Sequence, residues 1–560
     1  MHTADALGAQ VEAAAARALG EQDANPHSAT AGCFDRRYWA WKLVDFPEAT
    51  FQRLVLPLAT LYRDPASRYH GQPEVLAAVR AGLAYVTRIQ HGNGSFDQAF
   101  PFEQSYGATA FLLSPILEAA RLVDEHLTPA ERAAIEGTGR RAAEFLCGHE
   151  ERHGVIANHL AGAAWSLVVA ADRFREPRYE EAASRLVAFL LERQSPEGWW
   201  PEYDGADPGY QTLCVDYLSA IAERRPSEAL ARALDRAVEF LQWFVHPDGT
   251  FGGVYGSRRT SLVYLAGLAR LAPRSAPAAA MCRALAAAMA RGDLAGPASV
   301  DAGNLAPMLT STAMALPLLA AAGASDASLP CERTEVVADF TSAGLHIRGT
   351  AHYYAVCGVA NGGTLTVFAG EPRRLVLDDG GYVAEMEDGA RASTQATRRE
   401  QPATVEQERI ELTVPFVRMP SALPTPGRFV ALRLLNLTLM RSIAAGNWVK
   451  RRLVGLLMAG GDEVALTLTR RITFGAEAVE VTDRIESPGN LALRALTGGQ
   501  PFSSIHMASA GYFHGARLGT ARPATVVDLE RLSREGVVEL TTRVDVVPGT
   551  ENRSPTADSR

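Results

Sequence analysis

A ring of helical hairpins followed by an antiparallel β-sandwich is the fold class that this 560-residue sequence predicts. Three observations lead there. Residues 1–322 read almost wholly as amphipathic helices, a Gln–Gly–aromatic turn recurs along them, and beyond residue 322 the pattern changes to short alternating runs rich in Val, Thr, Leu and Tyr. A chain of this length exceeds one compact core, so a multidomain arrangement, α then β, follows.

In the first part, apolar residues fall at i, i+3, i+4 and i+7, and helix starts are marked. Thr128, Pro129 and Glu131 make a capping box with proline in the first turn, and Asp207-Pro208 and Arg225-Pro226 mark similar starts. Gln90, Gly94 and Phe96 stand in the order Q-x3-G-x-aromatic, Gln194, Gly198 and Trp200 repeat it, and Gly249 and Phe251 give a looser copy. Gly94 to Gly198 is 104 residues and Gly198 to Gly249 is 51, so the period is near 51, with a degenerate copy expected around Gly148 to Gly154. A period of that size with two helices per unit is a hairpin repeat, which either closes into an (α/α) toroid or stacks as an open solenoid. The toroid is favoured because the aromatic and polar turn residues recur at one end of each hairpin, where a ring would gather them.

Residues 323–334 read as a linker, and 335–548 as the sandwich. Its strands are expected in TEVVADF, GLHIRG, HYYAVCG, GTLTVF, RRLVLDDGGYV, RIELTV, EVALTLTRRITF and AVEVTDRIE. Asp378 and Asp379 in LVLDDGG read as turn formers. Residues 429–460 break the alternation with an apolar run carrying Arg433, Arg441, Lys450, Arg451 and Arg452, expected to be a helical insertion packed on the sheet; a membrane-surface contact is the less favoured reading. The polar 549–560 read as a disordered tail.

Composition bounds the partners. With 47% hydrophobic and 21% charged residues and a net charge of −8, the sequence is that of an ordinary globular protein, and nothing points to nucleic acid. Cys33, Cys147, Cys214, Cys282, Cys331 and Cys357 show neither a CxxC pair nor metal-ligand spacing, so they read as reduced, buried thiols, with no metal and no cofactor implied. The first twenty residues lack a basic stretch followed by an apolar core, which gives no signal peptide and a cytoplasmic expectation.

The chemistry concentrates between residues 153 and 217. Asn158 and His159 stand side by side at the start of an apolar helix, and WWPEYDGADPGY carries Trp199, Trp200, Tyr203, Asp204, Asp207 and Tyr210. With the helical ring and the sandwich, the Asn-His pair and the Gly-Tyr about 50 residues later resemble the heparinase II/III-like polysaccharide lyases and their alginate lyase relatives. The stretch LHIRGTAHYYAVCGVANGG is similar to the opening strands of that family's C-terminal domain. The resemblance implies β-elimination on a uronate-containing oligosaccharide or polysaccharide, with Asn158, His159 and Tyr210 as catalytic residues. Elimination needs the substrate carboxylate neutralised, a base for the neighbouring proton and an acid for the leaving oxygen; an amide, an imidazole and a phenol supply these types. Trp199, Trp200, Tyr203 and Tyr106 offer flat faces to sugar rings, and Arg258 and Arg259 suit an acidic substrate.

Two features depart from the family pattern or point elsewhere. Where the family's sandwich offers a histidine, GGTLTVFAGEPRRLVLDDGG has none, and His346, His352 and His506 lie elsewhere; a carbohydrate-binding protein without catalysis is therefore a competing expectation. The Gln194–Gly198–Trp200 turn also resembles that of triterpene cyclases, but their acidic D-x-D-D cluster is absent.

Overall fold

The computed structural model describes residues 3–151, 154–203, 205–321, 327–398, 400–419, 425–443, 445, 446, 448, 462–487, 491–505 and 509–547. Asp204, His506, part of the 323–334 stretch, all of 449–460 and the 549–560 tail lie outside them.

The helices are α1 (Thr3–Glu21), α2 (Arg36–Trp39), α3 (Val55–Arg63), α4 (Pro73–Ile89), α5 (Tyr106–Leu122), α6 (Pro129–Gly148), α7 (Ala157–Phe174), α8 (Pro177–Arg193), α9 (Pro208–Arg224), α10 (Glu228–Leu241), α11 (Leu265–Leu271), α12 (Ala276–Arg291) and α13 (Ala302–Ala321). Helices α3, α5, α7, α9, α11 and α13 each pack on the next, and α13 returns to α3. The ring is closed. Helices α4, α6, α8, α10 and α12 lie outside it, and α1 fills the last outer place against α12 and α13. The open solenoid is thereby excluded, because an open array would leave its first and last hairpins apart. Thr128 and Glu131 make the expected capping box, and Asp207 caps α9 through the Tyr210 amide; after Arg225-Pro226 the helix begins later, at Glu228.

The repeated turn has a packing explanation. The Gln194 side-chain amide donates to Gly198 O at 3.0 Å and to Ala233 O at 2.8 Å, tying its own turn to the next outer helix. Gly198 has φ 100°, and a Cβ there would sit 2.2 Å from Arg236 O, so only glycine fits. Gln90 and Gly94 do the same against Thr138 and Arg141. Gln22 and Gly32 form a further copy against Ala78 and Ala81, hidden in the sequence because ten residues separate the pair instead of four. In each copy the two contacts fall three residues apart on the receiving helix, which places both on one face.

The strands are β1 (Val336–Phe340), β2 (Leu345–Gly349), β3 (Tyr353–Gly358), β4 (Thr364–Ala369), β5 (Arg374–Asp379), β6 (Tyr382–Met386), β7 (Arg391–Ser393), β8 (Ala403–Val405), β9 (Arg409–Arg418), β10 (Glu463–Phe474), β11 (Ala478–Glu486), β12 (Leu493–Gly498), β13 (Thr525–Val526) and β14 (Val537–Asp545), with α14 (Pro426–Leu437) and α15 (Leu529–Glu535) between them. Strands β1 to β5 form one antiparallel sheet in sequence order; the second runs β13-β12-β6-β7-β9-β10-β11-β14, with β8 paired to β9. Alternation along β3 decides the layering. Tyr353, Ala355 and Cys357 face the second sheet, whereas Tyr354 and Val356 join the toroid core. The first sheet is thus the middle layer, with β2, β3 and β4 buried on both faces. Tyr354 Oη donates to Trp243 O at 2.5 Å and fastens the layers.

Asp378 and Asp379 are more than turn formers. Asp379 pairs with the buried Arg470 at 2.9 Å, and Asp378 accepts from Thr366 and from Arg517. The six cysteines are all unpaired, and five of them are buried. Among the described residues no helix is long and apolar enough to cross a membrane.

Candidate functional site

The inner helices α5, α7 and α9 start at one end of the ring, and the residues there form two layers. A short bridge between Ile156 and Glu202 builds the lower one: Tyr203 N donates to Val155 O at 2.9 Å, and Glu202 N to Gly205 O at 2.9 Å. This places Glu202 beneath the start of α7, 2% exposed, where it accepts from Asn158 N at 3.0 Å and from Asn158 Nδ2 at 2.8 Å. Burial pushes the Glu202 carboxyl up to about 7, against the lowering effect of the two Asn158 hydrogen bonds. A carboxyl there changes protonation near neutral pH.

Asp207 is the second buried carboxyl. It caps α9 through Tyr210 N at 3.0 Å and receives Arg258 N at 2.8 Å and Thr260 N at 3.3 Å. One side chain thus fixes the loop carrying both arginines against the helix carrying Tyr210. Burial raises its pKa.

The upper layer holds His159, Tyr203, Tyr210 and the two arginines. His159 Nδ1 lies 2.9 Å from Glu151 Oε2, and its ring packs edge-on against Phe111, 5.0 Å between centroids. Gly107 makes room for it, since a Cβ there would meet the imidazole at 2.8 Å. Tyr210 is half-buried; its hydroxyl accepts from Ser509 Oγ at 2.7 Å, and burial raises the phenol pKa. The guanidinium of Arg258 lies 3.8 Å over the Tyr203 ring, with Tyr203 at φ 60°. Arg259, also left-handed at φ 56°, is 3% exposed and donates through Nη2 to Gln395 O and to Ser504 Oγ. Among the described residues its Nε and Nη1, and the Nε of Arg258, are buried without an acceptor. Burial, with Arg258 alongside, pulls the Arg259 guanidinium down to about 9. Behind Phe111 the ring axis opens into a cavity of about 520 Å³, lined by Arg53, Trp165, Tyr217 and Arg224 among others.

Sequence-level expectations divide here. His159, Tyr203, Tyr210, Arg258 and Arg259 come together at the junction of toroid and sandwich. Asn158 belongs to the lower layer, and its Nδ2 is directed to Glu202, which is a different task from receiving a substrate's charge. Trp199 and Trp200 are 2% and 1% exposed and offer no face to a sugar. Trp200 Nε1 donates to Leu190 O, while Trp199 Nε1 reaches Glu197 and Ser342 and so latches the toroid to the β1–β2 turn. Tyr106 is also buried, in the neighbourhood of Glu151. Glu202, Ser504 and Ser509 went unread: a glutamate in WWPEYD looks like a turn residue, and its one signal is the aromatic run around it. His346 pairs with Asp339 at 2.7 Å, outside this site. Among the described residues no cluster of His, Cys, Asp and Glu could hold a metal ion.

A closed helical ring packed against an antiparallel sandwich is also the fold of solved polysaccharide lyases. The chain matches the chondroitin AC lyase of Streptomyces coelicolor, solved in complex with chondroitin sulphate, with a TM-score of 0.54 and 15% identity over 88% of this chain and 67% of that one. A Paenibacillus xanthan lyase matches with a TM-score of 0.53 and 12% identity over 88% of this chain, which spans 46% of that enzyme. An ent-copalyl diphosphate synthase from a Streptomyces species is 31% identical over 142 residues, 25% of this chain and 26% of the synthase. No protein-family model matches the chain.

Proposed function

We propose that this protein is a lyase that cleaves uronate-containing glycans by β-elimination. The observation that carries the reading is the pair of arginines beside Tyr203 and Tyr210, whose buried nitrogens on Arg258 and Arg259 have no acceptor among the described residues. Buried donors are ordinarily satisfied, and a carboxylate is an acceptor that suits two adjacent guanidinium groups. With the carboxylate neutralised, the proton beside it becomes removable. His159 Nε2 takes that proton, its Nδ1–H held by Glu151. The electron pair forms the C=C bond as the glycosidic C–O bond breaks, and the departing oxygen receives the Tyr210 proton. Burial raises the Tyr210 pKa, which keeps the phenol protonated and suits it to the acid role. Asn158 positions Glu202 beneath these groups.

The partial likeness to the diphosphate synthase raises a second reading, a cyclase on the same ring. The chain contains no D-x-D-D sequence, and its Gln–Gly–aromatic turns are consumed in packing. The test is incubation with a panel of uronate polysaccharides and oligosaccharides, followed by the ultraviolet absorbance of the unsaturated product. Tyr210→Phe and His159→Ala should each lower turnover by about 10²–10⁴-fold with little change in binding. Glycan binding without turnover in the unaltered protein would replace the lyase by a carbohydrate-binding role.

A further inference from the structure

Helix α14 is turned inside out. Asn436 is buried and Arg433 faces the protein, 2.8 Å from Asp45 and stacked near Phe46 and Phe429, whereas Val430, Leu434 and Leu437 are 61%, 59% and 52% exposed. Leu439 and Trp448 are exposed beyond it, and the neighbouring loop that carries Asp45 exposes Trp41 and Leu43. Single apolar residues on a surface need no explanation, but a set this size marks a contact surface.

Charge narrows the partner. The described residues between 425 and 448 carry Arg428, Arg433 and Arg441 and no acidic side chain, in a chain whose net charge is −8. Lys42 falls in the neighbouring segment. Among the described residues Lys42, Arg428 and Arg441 are exposed on these two stretches. Basic residues around an outward apolar face with tryptophan at its edge complement an anionic lipid surface: the apolar side chains enter the headgroup boundary, and each cation adds roughly fivefold to binding. We propose that this face docks the protein on an anionic membrane surface. The insertion is also tied to the end of the ring where α5, α7 and α9 start. Gln104 Nε2 donates to Arg441 O at 3.1 Å, and Met440 is buried on Phe100, just ahead of α5. Docking therefore sets the ring end that carries His159 and Tyr210 beside the bilayer, whatever reaction occurs there.

The experiment is co-sedimentation of the full chain with phosphatidylcholine vesicles, with and without a third of the lipid replaced by phosphatidylglycerol, at low and high salt. The expected result is binding at least about tenfold tighter to the anionic vesicles and weakened by salt. Val430→Glu/Leu434→Glu should abolish it and Arg428→Gln should reduce it roughly fivefold. Val430→Ser/Leu434→Ser serves the same arm if the acidic pair disturbs the circular dichroism spectrum. Failure to bind anionic vesicles, equal binding to neutral ones, or undiminished binding by the folded double variant would each overturn the proposal. A concentration-dependent dimer that the double variant dissociates would also overturn it and assign the face to a second copy of the chain.

Discussion

Arg470 in the sandwich and Arg259 in the candidate site are both almost wholly buried, yet their surroundings are opposite. Arg470 donates to both oxygens of Asp483 at 2.8 and 2.7 Å, meets Asp379 at 2.9 Å and donates to Gly363 O at 2.8 Å. Among the described residues Arg259 has one nitrogen bonded and two without acceptors, with a second arginine beside it and a left-handed backbone. The first is a closed network that cross-braces the sheets. The second carries an uncompensated desolvation cost, the kind of local expense a fold retains where a ligand completes the site.

The comparison can be broken at several points. Arg470→Met strands two buried carboxylates and should cost about 3–5 kcal/mol in urea unfolding, whereas Arg259→Met should leave stability within about 1 kcal/mol and lower kcat/KM on a uronate substrate about 10²–10³-fold. Equal stability losses would erase the distinction between the two arginines.

Glu202 sharpens it through pH. Its carboxyl keeps its proton in the folded state up to about 7, while the unfolded chain releases it near 4.5. Between these values the folded state binds more protons than the unfolded one, so this group's contribution to stability falls as pH rises from about 4.5 to about 7 and is level above. Glu202→Gln should remove that slope, worth about 3 kcal/mol across the window, in melting curves taken from pH 5 to 8. Parallel curves for the two proteins would show that Glu202 ionises freely.

The smallest change belongs to the repeat. Gly198→Ala forces a Cβ against Arg236 O and should destabilise by about 1–3 kcal/mol, with turnover unchanged in the folded protein.

Much of the ring was legible because its signals are local: Thr128 and Glu131 cap a helix within four residues, and Gln194 and Gly198 close one turn. Their neighbours were misjudged for the same reason. Trp199 and Trp200 share a composition with a sugar platform, and only the arrival of Leu190 O and Ser342 shows that their faces are spent. Asn158 reads as a donor to a ligand until Glu202, 44 residues on, is brought beneath it. The copy of the turn at Gln22 and Gly32 spaces its pair too widely to stand out.

By itself the sequence determined the two structural classes and the hairpin period, because helix periodicity, strand alternation and capping act over a few residues. Tertiary structure alone decided that the ring closes, that β2, β3 and β4 are buried on both faces, that Glu202 is buried beneath α7, and that α14 turns its apolar side outward. Each of these depends on which groups distant parts of the chain bring within a few ångströms, and desolvation and hydrogen-bond satisfaction are set by those neighbours.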